Sequence, residues 1–381
     1  MIYDLIIIWA WASGIFAWIN SNKNLKKIIL EKTNKIWTKL LLSGWERANV
    51  TNINIDIEND YFSQNKKFLK SIFSKYSQWD FMNFCAENNL ELIEEDRWRL
   101  ILKNWNSKEI LELFLKKLKQ NNCKININSQ VKQIIIHKWT NKLLNSQENQ
   151  EESIIYEIIL DNSIKYKCRN LIISTWWKSF FSTWTTWDWY NFAKQLWLKL
   201  IPTFPWLSWI TIIKDLSFLS WISTNLGLQL IDKKTKKTIY WETGPILFTH
   251  FWLSWPIIFN TWVAIWEYLA KIKSNNNYLL DNLIIKLEFD INNSSKKIIK
   301  FFNLQESNCV VELSLHSLRG FKEAKITTGG IDLNELDNNM QVKKSKGLYF
   351  IWEIVDITWK TWWYNLQWAW SSAYVASKNI V

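Results

Sequence analysis

Residues 9–14 read Trp-Ala-Trp-Ala-Ser-Gly, and Trp18 continues the same spacing. With tryptophan standing where glycine belongs, this is the G-x-G-x-x-G pattern of a turn that cradles a pyrophosphate. The first glycine of such a turn makes a sharp reversal, the second lets phosphate approach the backbone, and the third lets helix pack on strand. The helix that follows offers free N–H groups and a positive dipole end to the phosphate oxygens. An acid about twenty residues further on can accept hydrogen bonds from a ribose, and Glu31 stands there. Trp9, Trp11, Ser13 and Gly14 thus form the expected cradle, with Glu31 as the ribose acceptor. The alternative is a glycine-type structural turn with no ligand.

Composition carries the substitution reading. The chain has 29 tryptophans and only 8 glycines in 381 residues; together they make roughly a tenth, near an ordinary glycine supply. The tryptophans cluster in turn-like company, as in Trp176-Trp177, Trp184 to Trp189 and Trp362-Trp363. An indole side chain buries roughly 150–250 Å², and no fold hides a dozen of them in consecutive turns. Glycine suits those turns because it accepts positive φ. The economical explanation is a gene whose UGA codons specify glycine, translated with a table that reads them as tryptophan. The literal alternative is a tryptophan-rich stacking surface for sugars or single-stranded nucleic acid.

The elements that must position the cradle follow from hydropathy. Tyr3–Ile8 is a short apolar run expected to be a buried parallel strand, Ala12–Asn20 a helix and Lys27–Glu31 a second strand: a βαβ opening. Ser107–Gln120 places Ile110, Leu111, Phe114, Leu115 and Leu118 at helical spacing, with Ser107 as N-cap. Strands alternate from Lys124 to Thr175, with a hairpin loop near 145–153. Ile210–Trp241 reads as antiparallel, and Pro256–Ser307 as helical and then Asn/Ser/Lys-rich. From Gly347 the pattern returns to strand, glycine-type loop and helix. The fold class expected is α/β: a Rossmann-type dinucleotide-binding domain with a parallel sheet, an inserted antiparallel β-domain and a small helical insertion. The corresponding division is 1–192 and 329–381 for the dinucleotide domain, 193–255 and 309–328 for the β-domain, and 256–308 for the helical insertion.

Charge and cysteines narrow the class. The net charge is +12, yet five of the 47 basic residues are arginine, the residue preferred for bidentate phosphate and base contacts. The charge permits an RNA partner without requiring one. Cys85, Cys123, Cys168 and Cys309 are scattered, with no C-x-x-C and no neighbouring histidine to complete a zinc set. No metal site and a reduced, cytoplasmic setting are expected. The apolar stretch Leu5–Ile19 lacks a basic n-region and carries Asp4 just before it, so a strand running into a helix is expected rather than a signal peptide or a membrane span.

At this point the chain resembles a known family. Ser43-Gly-Trp-Glu-Arg-Ala-Asn-Val-Thr-Asn52, with glycine at 45, is similar to the SGGGRCNVTN signature of the aminoacetone-oxidase/BaiN-like (YhiN-type) NAD(P)/FAD-dependent flavoproteins. Thr175-Trp-Trp-Lys178 with Thr183–Tyr190 resembles the family's TGGKS…TGSTGDGY. Leu247–Pro256 and Gly347–Ser372 resemble two further signatures, in the family's order. The resemblance implies FAD as cofactor. It places Trp9, Trp11, Ser13 and Gly14 on the pyrophosphate, Glu31 on the adenosine ribose and the Val131 backbone on the adenine. Gly44, Trp45, Arg47 and Asn49 would lie along the cofactor, with Thr175, Trp176 and Trp177 in a second glycine loop. Trp352 and Glu353 would grip the ribityl chain, and the helix beginning near Asn365 and Leu366 would aim its N-terminus at the flavin's pyrimidine edge. Glu46 and Ala48 depart from the family, which usually has glycine and cysteine there, so any role of that cysteine is absent. Trp368 matches a true tryptophan of the family, whereas Trp79 and Trp370 are undecided.

The catalytic residues are not identified. His250 lies within a family motif and would either protonate a substrate anion or hold a domain junction by hydrogen bonds; His137 and His316 read as structural. Arg47 reads as a cofactor anchor before a catalyst, and Asp188 as a turn residue or cap. No second G-x-G-x-x-G follows a strand, so NAD(P)H is expected as a transient electron donor in the flavin cleft. The resemblance covers substrates as different as a small amine, bile-acid intermediates and a uridine of ribosomal RNA, and fold alone does not choose among them. Expected partners are FAD and either a small-molecule or an rRNA substrate, with no membrane, no metal and an oligomeric state left open. The readings carried are a uridine-reducing enzyme, a small-molecule flavin oxidase or reductase, and a non-enzymatic tryptophan-rich binding module. The codons at positions 9, 11, 176 and 177 are expected to be UGA; sequencing the gene and finding UGG at them would sink the glycine reading.

Overall fold

In the computed structural model the residues described are 1–34, 36, 49–63, 65–95, 98–140, 152–175, 188–206, 208–272, 282–318, 321, 323–324, 326–359 and 362–380. Gly44, Trp45, Arg47, Trp176 and Trp177 lie outside them. The chain divides into two compact units, Met1–Lys178 with Ser182–Thr203 and Thr328–Val381, and Ser179–Phe181 with Phe204–Thr327.

The first unit is built on a seven-stranded sheet. Its members are β1 (Ile2–Ile8), β2 (Lys27–Leu30), β3 (Lys124–Asn126), β4 (Val131–Thr140), β5 (Glu152–Leu160), β6 (Lys165–Ile173) and β7 (Leu348–Phe350). The order is β3-β2-β1-β6-β5-β4, with β7 also on β6. The β3, β2, β1, β6 and β7 pairings are parallel, whereas β5 pairs antiparallel with both β6 and β4. A parallel core explains the unbroken apolar run of β1, because both faces of such a strand are covered; Leu5 to Ile8 are fully buried.

Helix α1 (Ala12–Asn20) follows β1 directly, and residues 12–18 of it are buried. Helix α2 (Lys108–Gln120) buries Ile110, Phe114 and Leu118, an i, i+4, i+8 stripe, and leaves Leu115 exposed. Ser107 does not cap it: its backbone is already helical and its side chain makes no capping bond. Asn106 Oδ1 instead accepts from the Lys108 N–H at 3.1 Å. Ser107 is buried, so its hydroxyl is turned from the role its residue type suggests.

Helix α3 (Trp362–Lys378) closes the unit against α1 and the short strand Asn49–Asn52. Trp370 is fully buried, stacked on Phe81 at 4.8 Å between centroids and close to Phe16 at 5.2 Å. Its Nε1–H donates to the Val50 carbonyl at 3.0 Å, as a buried indole requires. Trp368, also buried, donates to the Trp352 carbonyl at 3.0 Å.

The second unit contains a closed antiparallel barrel. Its strands run in the order Ile210–Ile212, Trp252–Ser254, Thr238–Phe248, Ser223–Asp232, Leu283–Glu288, Val310–Leu318 and back to the first. Leu228, Leu230, Ile285, Leu287 and Leu313 fill its interior. The stretch read from sequence as helical and then Asn/Ser/Lys-rich holds helices Pro256–Ile272 and Lys296–Phe302, and between them a barrel strand, Leu283–Glu288. Its residues Leu-Ile-Ile-Lys-Leu-Glu do not alternate strictly, which is why periodicity did not mark it.

Several tryptophans occupy backbone that disfavours them. Trp9, Trp98, Trp105, Trp197, Trp221, Trp255 and Trp352 have φ between 55° and 89°. That region costs a side-chain-bearing residue roughly 1–2 kcal/mol, and glycine almost nothing. Trp105 and Trp197 also hold their rings in solvent, 48% and 87% exposed. Opposite outcomes are therefore expected on urea unfolding: Trp370→Ala should cost about 3–5 kcal/mol, and Trp105→Gly should stabilise by about 1 kcal/mol.

Candidate dinucleotide site

The parallel strands end together. Ile8 lies beside Leu30 on one side and Ile173 on the other, and Ile173 lies beside Phe350. Trp9, Glu31, Thr175 and Trp352 therefore emerge within two residues of one sheet edge, the carboxyl end. In open parallel sheets this edge is where ligands bind.

The turn after β1 is held from both sides. The Trp9 N–H donates to the Leu30 carbonyl at 2.8 Å. The Ala10 N–H donates to Glu31 Oε2 at 2.8 Å. Ser174 Oγ reaches the carbonyls of Ile8 and Trp9 at 2.8 and 3.0 Å. Trp9 has φ 83°, which lets the chain reverse into α1. A Cβ at Gly14 would stand 2.2 Å from the Trp9 carbonyl oxygen, so only glycine permits α1 to lie this close to the turn.

Glu31 is buried at the end of β2. Burial, the largest influence, pushes its carboxyl above the usual range, and hydrogen bonds from Thr33 and Ala10 oppose that rise. Oε1 accepts from the Thr33 N–H and hydroxyl, each at 2.9 Å. The stretch leading into β4 runs alongside, with the Ser129 N–H on the Glu31 carbonyl at 2.8 Å and the Asn128 N–H on that of Thr33 at 3.1 Å. Buried Val131 follows two residues later. Lys32 pairs with Asp188 at 3.1 Å, so Asp188 is an ion-pair partner as well as the first residue of helix Asp188–Gln195.

The second arm comes from β7 and α3. Trp352 has φ 67°; its N–H donates to Ser372 Oγ at 3.1 Å, and its Nε1–H to Asn365 Oδ1 at 2.5 Å. Asn365 Nδ2 donates in turn to Glu353 Oε1 at 2.5 Å. Glu353, Asn365 and Leu366 are buried in this cluster. Asn49, buried at the start of its strand, belongs to an element tied to α3 by the Thr51 hydroxyl on Gln367 Oε1 at 2.6 Å. His250 is on the barrel unit, exposed, with Nδ1 3.5 Å from Ser220 Oγ. Sequence reasoning missed Ser174, Thr33 and Ser372, whose only signal was a small polar residue just beyond a strand or inside a helix.

A family model described as the HI0933-like protein Rossmann domain matches residues 3–379. The chain belongs to this family. It is an FAD-dependent oxidoreductase with a Rossmann-type nucleotide-binding unit. It is 27% identical to a protein named ribosomal RNA dihydrouridine synthase in Haemophilus influenzae, over 98% of both chains. It is 24% identical to a protein of the same name in Escherichia coli, over 100% of this chain and 98% of that one. A 3-ketosteroid-delta4-(5alpha)-dehydrogenase structure from Rhodococcus jostii RHA1 matches with a TM-score of 0.50 at 9% identity, over 99% of this chain and 97% of its own, and shares the fold. No helix among the described residues is long and apolar enough to cross a membrane.

The backbone of the HI0933-like site fits a dinucleotide. Ser13 Oγ and Thr175 Oγ1 are buried beside the turn and, among the described residues, have no hydrogen-bond partner; buried hydroxyls without a partner are costly, and phosphate oxygens would satisfy them. The side chains of Trp9 and Trp11 do not fit. Their rings stack on each other with centroids 6.2 Å apart, and both residues are buried at a turn where a phosphate-binding backbone carries no side chain.

Asp356, between Glu353 and α3, adds a titratable group. Burial first and the charge of Asp332 second push its carboxyl up to about 6. A carboxyl whose folded pKa exceeds its unfolded value holds its proton more firmly when folded, so stability falls as pH rises from about 4 to about 6. Asp356→Asn is expected to match the parent in urea unfolding at pH 4 and to exceed it by about 1–3 kcal/mol at pH 8; equal stabilities at both would show the group is not raised.

Proposed function

We propose that the chain reduces a uridine of ribosomal RNA to dihydrouridine, with FAD as cofactor and NAD(P)H as transient electron donor. The observation that carries this reading is the match, over nearly the whole of both chains, to two proteins named for that reaction. The net charge of +12 favours a polyanionic substrate. A small-molecule reductase is the second reading, supported by 31% identity to a 3-dehydro-bile acid delta(4,6)-reductase of Clostridium scindens over 17% of this chain.

In this proposal Ser13, Gly14 and the first turn of α1 hold the pyrophosphate, Glu31 the adenosine ribose and the Val131 backbone the adenine. Glu353, fixed by Asn365, takes the ribityl hydroxyls. Gly44, Trp45, Arg47 and Asn49 line the cofactor on one side, and Thr175, Trp176 and Trp177 on another. The helix expected to begin near Asn365 begins three residues earlier, at Trp362. In this proposal its N-terminus, one turn before Asn365 and Leu366, offers a positive dipole end to the flavin's pyrimidine edge. When bound, the flavin would accept hydride from NAD(P)H and deliver it to the unsaturated bond of the base.

The positions with positive φ extend the glycine reading. We propose glycine at Trp9, Trp98, Trp105, Trp197, Trp221, Trp255 and Trp352 in the natural product, and also at Trp11, whose ring shares the turn. Trp368 and Trp370 stay tryptophan, since each lies in helical backbone, fills the core and satisfies its N–H.

One preparation tests both proposals. Full-length protein carrying glycine at those eight positions and at 45, 176, 177, 362 and 363 is expected to purify with a flavin absorbance spectrum. With NADPH it should install dihydrouridine in 23S rRNA from a strain lacking the gene. Folded, colourless protein would overturn the cofactor assignment. Unmodified rRNA alongside NADPH oxidation on a small enone or amine would favour the second reading.

A further inference from the structure

The barrel unit carries an exposed aromatic and basic surface that the dinucleotide site does not use. Two loops and a helix form it. The segment after strand Ile210–Ile212 bears Lys214 and leads into the 3-10 turn Ser217–Leu219, where Phe218 is 55% exposed. The turn at His250 and Phe251 is bonded to that segment twice, through the Leu216 N–H on the His250 carbonyl at 2.7 Å and the Ile212 N–H on the Phe251 carbonyl at 3.1 Å. Phe251 is 48% exposed. Helix Lys296–Phe302 supplies Phe301, stacked on Phe218 at 6.0 Å with an interplanar angle of 10°. Lys214 Nζ lies 5.1 and 4.9 Å from the rings of Phe301 and Phe302. Lys297 is exposed one turn before Phe301, on the same side of the helix.

Burying a phenylalanine ring is favourable by roughly 1.5–3 kcal/mol, so rings kept in water beside lysines need a reason. Flat exposed rings offer faces on which bases stack regardless of sequence, and neighbouring lysines neutralise the backbone. Asp215, an acidic residue beside Lys214, is engaged by the Ser217 N–H and hydroxyl at 2.8 and 2.6 Å. Those bonds, the hydroxyl's foremost, hold its carboxyl below the usual range. Lysine serves here as a point charge for phosphate, a role that needs no arginine fork.

We propose that Lys214, Phe218, Phe251, Lys297 and Phe301 form the docking surface for a single-stranded segment of the substrate RNA. This rests on the rRNA reading above and assigns it a place on the barrel.

The test uses full-length, flavin-loaded protein and a short fluorescein-labelled oligouridine, with anisotropy measured across a salt series. Phe218→Ala with Phe251→Ala is expected to weaken binding about tenfold or more. Lys214→Gln with Lys297→Gln should make the slope of log affinity against log salt shallower by about 1.4, at roughly 0.7 per phosphate contact on a single strand. Lys116→Gln with Lys119→Gln, exposed on α2, should change neither. Should the aromatic pair fail to fold, the lysine pair carries the test alone, because both side chains are at the surface. Unchanged binding in the folded variants, with the parent still making dihydrouridine, overturns the surface and leaves the rRNA reading standing. A parent that oxidises NADPH but neither binds the oligonucleotide nor modifies rRNA overturns both.

Discussion

The chain leaving β1 has to reverse and enter α1 while the helix lies almost against the turn. Two contacts make that possible: the left-handed backbone at position 9 and the absence of a side chain at Gly14, where a Cβ would meet the Trp9 carbonyl. From this reversal follow the direction of α1 and the placement of Glu31 opposite Ala10. Because β1, β2, β6 and β7 end in register, the same edge collects Thr175 and Trp352. A wider turn would displace α1 and loosen the packing of Phe16 on Trp370, so site and core share one geometric requirement.

What could be read from the sequence was local. The apolar run of β1, the spacing from residue 9 to 18 and the acid at 31 lie within one βαβ unit, where propensity and tertiary structure agree. The carboxyl-end convergence of Thr175 and Trp352 was legible only through resemblance, because those residues lie far along the chain and meet through strand order. Leu283–Glu288 escaped because it is a barrel strand between two helices, stabilised by partners on both sides rather than by its own pattern. Ser107 misled because residue type suggested a cap and burial decided otherwise. Phe218 and Phe301 are 83 positions apart in the numbering, and only the fold stacks one on the other.

Tryptophan here serves two physically different populations. One group, with Trp368 and Trp370, is buried in a helix, packed on aromatic rings and hydrogen-bonded through the indole nitrogen. The other sits at left-handed turns, with rings in solvent at Trp197 and Trp221 and buried at Trp9 and Trp352. A side chain that contributes packing at one place and strain at another marks positions where the backbone, rather than the ring, was the requirement.

The stacked pair at Trp9 and Trp11 has a genetic consequence. On the proposed glycine reading, a host whose translation machinery inserts indoles there would make a chain with the right strands and helices and two stacked rings at the turn assigned to the pyrophosphate. Such a gene would be functionally silent after transfer between lineages, even though its product could still fold. The barrier would lie in two side chains, at the one turn of the molecule least able to hold them.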